Sequence, residues 1–338
     1  MRHADDVAVT VDRGAYPDAI TPWERQEWRE AAVQWAERGA VAAGLRPSGG
    51  RSVRLRPWSV LVRFGVAGRG AVWFKANPPA SSFEAGLTAA LARWVPGHVL
   101  TPLAVDADRG WSLLPDGGTL LRDVLAQDGA DPRTWEEPLR QYARMQRELL
   151  PRVQDLERLG VPRARTPDLP DVFDGLVAGN DAALDEGDRI RLRALRPRLA
   201  DWCGELATAG VTDSLDHADL HDGQLFHAGA GRYTFFDWGD ALVSHPFCSF
   251  LVPARRARAR YGPEVLPRLR DAYLEPWTGG GRTSADLRRA LTLATRLGAL
   301  GRACSWGRLF PGASAGAEAT GRAQSAEWLL RLCADPWD

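Results

Sequence analysis

The densest grouping of chemically capable side chains runs His217-Ala218-Asp219-Leu220-His221-Asp222-Gly223-Gln224 and is followed by Asp237-Trp238-Gly239-Asp240. Leu225-Phe226-His227 and Arg232 to Phe236 read as two short strands joined by Ala228-Gly229-Ala230-Gly231. Residues equidistant from a hairpin turn face each other, so the expectation is that Gln224 and Asp237 stand side by side. An amide oxygen beside a carboxylate suits a hard octahedral cation such as Mg²⁺, which is held by one or two carboxylates and completed by phosphate oxygens. Asp219 is then left to orient and deprotonate a hydroxyl. Asp and Gly also favour ordinary solvated turns, but the joint spacing of base, amide and carboxylate favours chemistry.

A second candidate emerges when the cations are separated. Of 43 basic residues only Lys75 is lysine. An ammonium differs from a guanidinium in shape, hydration and donor geometry, so a chain that uses Arg for every other positive charge marks Lys75 as a site residue.

The elements that must carry these groups are legible by period. Trp23, Trp28, Ala32, Trp35, Ala36 and Val41 recur at helical spacing between Thr21, a candidate N-cap followed by Pro22, and Gly44 as a stop. Val53 to Leu55, Val60 to Phe64 and Ala71 to Lys75 read as strands of a small antiparallel sheet. Pro78-Pro79 ends it, and Ser81 or Ser82 starts a helix through Glu84, Leu87, Leu91 and Trp94. Extended pieces follow around Leu100 to Asp106 and Gly110 to Leu114, before a turn at Pro115-Asp116-Gly117-Gly118. The remainder is mainly helical. The expected division is a helical extension over 1–50, a sheet-and-helix domain over 51–115 and a larger helical domain over 116–338.

His217-x-Asp219-x-x-x-x-Gln224 followed by Asp237-Trp238-Gly239-Asp240 resembles the catalytic segment of the aminoglycoside phosphotransferase and choline kinase-like family, relatives of the protein kinases. The resemblance implies an α+β, bilobal protein kinase-like fold with a small antiparallel-sheet N-lobe and a larger, mainly helical C-lobe. It implies transfer of the γ-phosphoryl group of ATP, with GTP as an alternative donor, to a hydroxyl of a small molecule. Asp219 would be the base, His217 would hold the catalytic loop, and Gln224 and Asp237 would bind Mg²⁺; the family's commoner amide is Asn, so Gln224 is a departure. Lys75 on its strand and Glu84 on the next helix match the ion pair that positions the nucleotide's α- and β-phosphates. Trp111 to Pro115 resembles the adenine hinge, which assigns Leu113 and Leu114 to the nucleotide. No GxGxxG precedes Lys75, so the phosphate loop falls to the turn from Arg56 to Ser59, with Ser59 as its contact.

Composition bounds the partners. Lys+Arg and Asp+Glu are equal at 43 each in 338 residues, so no net charge steers the chain toward nucleic acid or anionic membrane. The longest uncharged apolar-rich run, from Ala241 to Ala254, is too short to cross a bilayer, and the acidic start lacks the order of a signal peptide, which points to the cytoplasm. Four cysteines without CxxC spacing suggest neither disulfides nor a zinc site. From Ala241 to Asp338 there are 14 Arg against 8 Asp+Glu, a balance that tilts the acceptor toward a neutral or acidic compound rather than a polycation. Two competing readings are a pseudokinase that binds nucleotide without transfer, and a metallohydrolase using His217, Asp219, His221 and Asp222 as ligands.

Overall fold

The computed structural model describes residues 9–68, 70–127 and 131–336. The chain divides into two compact units, and among the described residues the first holds 9–92, 100–116 and 308–320 and the second holds 93–99, 117–307 and 321–336.

The first unit is built on a six-stranded sheet of β1 (Val9–Asp12), β2 (Pro47–Arg56), β3 (Ser59–Val66), β4 (Ala71–Ala76), β5 (Ala104–Asp106) and β6 (Trp111–Pro115), in the spatial order β1-β2-β3-β4-β6-β5. All neighbours pair antiparallel except β1 and β2, which run parallel. Strict alternation divides its side chains. Val53, Leu55, Val60, Val62, Phe64, Val72, Phe74, Trp111 and Leu113 turn to one face and form a single buried core with Ala32, Ala36 and Ala40 of helix α1 (Gln26–Ala42). Each fully buried Val, Leu or Phe contributes about 1.5–3 kcal/mol of transfer free energy to that packing. Gly39 lets the helix approach closely, since a Cβ there would lie 3.1 Å from both Ala104 and Leu113. Trp28 and Trp35 pack edge-on against Phe74 and Trp111.

Three expectations are corrected here. The first fifty residues are not a separate helical extension, because β1 pairs with β2 and α1 covers the sheet. Val41 is 62% exposed while Ala40 is buried, so the apolar face of α1 turns one residue earlier at its end. Residues 308–320 return to the sheet unit: Phe310 is buried in the sheet core and its N–H donates to the Pro57 carbonyl.

The second unit is mainly helical, with two small sheets. β7 (Thr119–Leu120), β9 (Leu225–His227) and β10 (Tyr233–Phe235) form one, and β8 (Ser214–Asp216) pairs with β11 (Leu242–Ser244) in the other. Trp135, Tyr142, Trp238, Phe247, Phe250, Tyr273 and Trp277 are fully buried or nearly so around them. No described helix is long and apolar enough to cross a membrane.

Candidate active site

On the first unit the relevant surface is the sheet face opposite α1. Lys75 on β4 is directly across from Leu61 on β3 and Ser112 on β6, and Trp73 is across from Leu114, so these five share that face. Lys75 is 7% exposed, and its Nζ lies 2.7 Å from the carboxylate of Glu84, itself 4% exposed on α2 (Phe83–Trp94). Asn77 also donates to Glu84 and to the Ser81 carbonyl, which fixes the start of the helix against the end of the strand. The structure thus joins Lys75 to Glu84. It treats the two leucines differently: Leu114 shares the Lys75 face, whereas Leu113 sends its side chain into the α1 core and accepts a backbone bond from Leu103. Ser59 begins β3, two residues before Leu61 on the same face, after a two-residue turn. That turn is held by Arg56 on Asp12, Pro57 on Phe310 and Trp58 edge-on to Tyr16.

On the second unit, β8 delivers the chain into the loop from His217 to Gln224, and the β9–β10 hairpin follows it. Asp216, 1% exposed, accepts hydrogen bonds through one oxygen from the Ala218 N–H at 2.9 Å and the Ser249 hydroxyl at 2.6 Å. Burial pushes its carboxyl up to about 6. Because the Ser249 proton goes to Asp216, the Ser249 oxygen can only accept, and it receives the His217 N–H at 3.2 Å. These bonds hold Ala218 in the left-handed region at φ 59°, a conformation that costs a non-glycine residue about 1–2 kcal/mol. Asp219 follows directly after this turn.

The hairpin register differs from the sequence expectation. Leu225 pairs with Phe235 and the Gln224 carbonyl accepts from the Phe236 N–H, so Gln224 faces Phe236 and Asp237 follows one residue later. The cause is an odd, three-residue turn at Gly229-Ala230-Gly231, all with positive φ, closed by Ala228 bonding to Arg232. Asp237 itself is left-handed at φ 65°, ψ 62°, which redirects the chain immediately after the paired segment. Gln224 is 9% exposed. Its amide oxygen and the Asp237 carboxylate are hard oxygen donors, the kind a Mg²⁺ ion takes together with phosphate oxygens.

His217 turns into the interior of the second unit. It is fully buried, its Nε2 donates to the Phe236 carbonyl at 2.9 Å, and its ring packs 4.7 Å from that of Trp238. It therefore ties the loop bearing Asp219 to the peptide that precedes Asp237. Burial lowers its pKa, which keeps the ring neutral. His217 is so engaged, His221 lies 3.8 Å from Asp219 and 3.7 Å from Asp222, and among the described residues no cluster of three or more His, Cys, Asp or Glu is placed to hold a metal.

Arg302 is the participant that sequence reasoning missed. It sits on the helix Ser284–Ser305, 8% exposed, and its Nη1 lies 3.2 Å from Asp219 Oδ1 and 3.0 Å from Asp240 Oδ2. Gly301 admits the helix to this position, since a Cβ there would lie 3.0 Å from Leu242 and 3.7 Å from Ala218. Burial raises the Asp219 carboxyl to about 7 against the opposing pull of Arg302, with Asp240 and Asp237 adding to the rise. His221 is held down at about 4, by burial and then by Arg122 and Arg256. Its Nδ1 accepts from the Gly223 N–H at 2.9 Å.

Comparison with known proteins fits this geometry. No protein-family model matches the chain, and no curated protein matches it in sequence. Solved structures do match, and they define the class: the chain has the protein kinase-like fold of the aminoglycoside and macrolide phosphotransferases and the choline and ethanolamine kinases. A Plasmodium vivax ethanolamine kinase aligns with a TM-score of 0.60 at 10% identity, covering 92% of this chain and 89% of its own. The macrolide 2'-phosphotransferase of Brachybacterium faecium aligns at 0.55 and 17% identity over 86% and 97%. The GDP complex of wild-type aminoglycoside 2'-phosphotransferase-IIIa aligns at 0.54 and 15% over 88% and 98%.

Proposed function

We propose that this protein is a Mg²⁺-dependent small-molecule kinase that transfers the γ-phosphoryl group of a nucleoside triphosphate to an alcohol, with Asp219 as the general base. The observation that carries the reading is the Asp219 carboxylate itself. It is largely buried, raised toward neutrality, set directly after a strained turn, and backed by a cation on a separate helix. A base near the working pH is the most efficient for proton abstraction. Lys75, held by Glu84, would contact the α- and β-phosphates, with Leu114 and Ser59 on the same sheet face toward the nucleotide. Gln224 and Asp237 would hold the metal, which when bound there neutralises charge on the transferring phosphoryl group. His217 keeps their two loops in register.

ATP is the donor of choice, and the GDP bound to a solved relative makes GTP the second donor to test. Arg256, exposed near His221, and Arg122, 3.8 Å from Asp222, add positive charge around the base, which supports a neutral or acidic acceptor over a polycation. A cytoplasmic setting supplies both donors. The experiment is nucleoside diphosphate release from ATP and from GTP across a panel of alcohols, with wild type beside Asp219→Asn. Wild type should turn over at least one acceptor, and the variant should lose about 10²–10⁴-fold in rate while keeping nucleotide affinity. Nucleotide binding without turnover in wild type would identify a pseudokinase instead.

A further inference from the structure

The two oxygens of Asp219 are not equivalent. Oδ1 faces Arg302 Nη1 at 3.2 Å, whereas Oδ2 faces His221 Nε2 at 3.8 Å. The second distance is too long for a hydrogen bond, which for N–H···O runs to about 3.2 Å. The state of the histidine follows from its other nitrogen. Nδ1 lies 2.9 Å from the Gly223 N–H and 3.4 Å from Arg122 Nη2, and both of these groups can only donate. Nδ1 is therefore the lone-pair nitrogen, and the ring proton resides on Nε2. A donor and a basic carboxylate oxygen thus flank a gap that neither closes, and among the described residues neither Nε2 nor Oδ2 has a hydrogen-bond partner.

We propose that His221 is a second acceptor-positioning residue, and that the alcohol oxygen of the acceptor seats between His221 Nε2 and Asp219 Oδ2. This rests on the phosphotransfer reading above. An oxygen about 2.8 Å from each atom closes the gap as the apex of a triangle, accepting from Nε2–H and donating its own proton toward Oδ2. In transfer, a lone pair of that oxygen forms the bond to the γ-phosphorus. The bond from this phosphorus to the β,γ-bridging oxygen breaks, its electrons leave on the nucleoside diphosphate, and the hydroxyl proton passes to Asp219 Oδ2. His221 keeps its proton throughout. Arg302, by occupying Oδ1, leaves Oδ2 as the oxygen that does the accepting. The pairing also selects the nucleophile: an alcohol can accept one bond and donate another, whereas an ammonium only donates, so an amino analogue of the acceptor is not phosphorylated.

The test separates the two nitrogens of His221. His221→Asn offers its side-chain oxygen to the Gly223 N–H, as Asn does in local turns, and so keeps the loop bond while losing the distal donor. His221→Gln carries an amide donor out to the Nε2 position but loses the Gly223 bond. The probe is Mg·ATP with whichever alcohol gives the fastest diphosphate release in the panel. His221→Asn should keep its Tm and its KM for ATP while its acceptor KM rises about tenfold, the worth of one hydrogen bond of about 1.4 kcal/mol. His221→Gln should return acceptor KM to within about threefold of wild type. A wild-type acceptor KM in His221→Asn, or a failure of Gln to restore what Asn loses, overturns the proposal. Absence of any wild-type turnover overturns the phosphotransfer reading beneath it, and the wild-type control tells the two apart.

Discussion

Arg302 meets Asp219 at 3.2 Å from a helix remote in sequence and engages Asp240 at 3.0 Å with the same nitrogen. Removing one partner of a buried ion pair leaves the other charge uncompensated, at a cost of about 3–5 kcal/mol. Arg302→Met should therefore lower unfolding free energy by that order and reduce turnover. Arg302→Lys, which keeps the charge without the planar fork, should fall between. Denaturant titration of the three proteins checks the order, and a fully stable Arg302→Met would contradict it.

The Lys75–Glu84 pair makes a related prediction for the first unit. Lys75→Met leaves the Glu84 carboxylate buried without this cation, so it should destabilise more than the double variant Lys75→Met/Glu84→Gln, which removes both charges. Because Lys75 is the only lysine, an amine-directed reagent can label only it and the N-terminus. Saturating Mg·ATP should protect Lys75. Equal labelling with and without nucleotide would count against its role at the phosphates.

At the proposed metal ligands, Gln224 and Asp237, backbone geometry dictates the useful substitution. Asp237 is left-handed, a conformation that Asn adopts at less cost than Ala. Asp237→Asn should fold like wild type yet lose the Mg²⁺ dependence of nucleotide binding. Gln224→Asn should retain more of that dependence than Gln224→Ala, because the amide oxygen is the donor. Calorimetric titration of ATP with and without Mg²⁺ measures both, and unchanged Mg²⁺ dependence in Asp237→Asn would refute the assignment.

Asp216 gives a pH dependence of definite sign. Burial raises its folded-state pKa to about 6 from 3.8, so the folded chain binds this proton more tightly than the unfolded one. Stability from this group is present at low pH and is lost as pH rises through about 6. Asp216→Asn can still accept from Ala218 and Ser249 but does not ionise. Its stability relative to wild type should be greater at pH 8 than at pH 5 by on the order of 1 kcal/mol. A difference that is flat across that range would show that Asp216 is not a buried carboxylate of raised pKa.

What could be read from the sequence was what local period and spacing encode. The central strands, α1, and the grouping of Asp219, Gln224 and Asp237 all announce themselves within short windows. The hairpin register did not, because a turn of three residues and one of four look alike until the positive φ of Ala230 is known. Leu113 and Leu114 are adjacent and chemically identical, and only the pleat sends one to the core and the other to the Lys75 face. Strand β1 is exposed along its length and carries no burial pattern to find. Arg302 was hidden by composition, being one arginine among 42 that differs from the rest only in what it meets after folding.

The return of Phe310 to the sheet bears on where the chain can be cut. A fragment ending at Asp116 contains every strand of the first unit, yet it lacks the ring that sits 4% exposed in their shared core. Losing a buried Phe side chain costs about 3–5 kcal/mol, comparable to the whole stability of a small domain. Such a fragment would expose apolar side chains and invite aggregation, and limited proteolysis near residue 310 would loosen a sheet two hundred residues upstream. Dissecting this protein for expression therefore demands that the first unit carry its late-encoded segment, supplied by a linker or by permuting the chain.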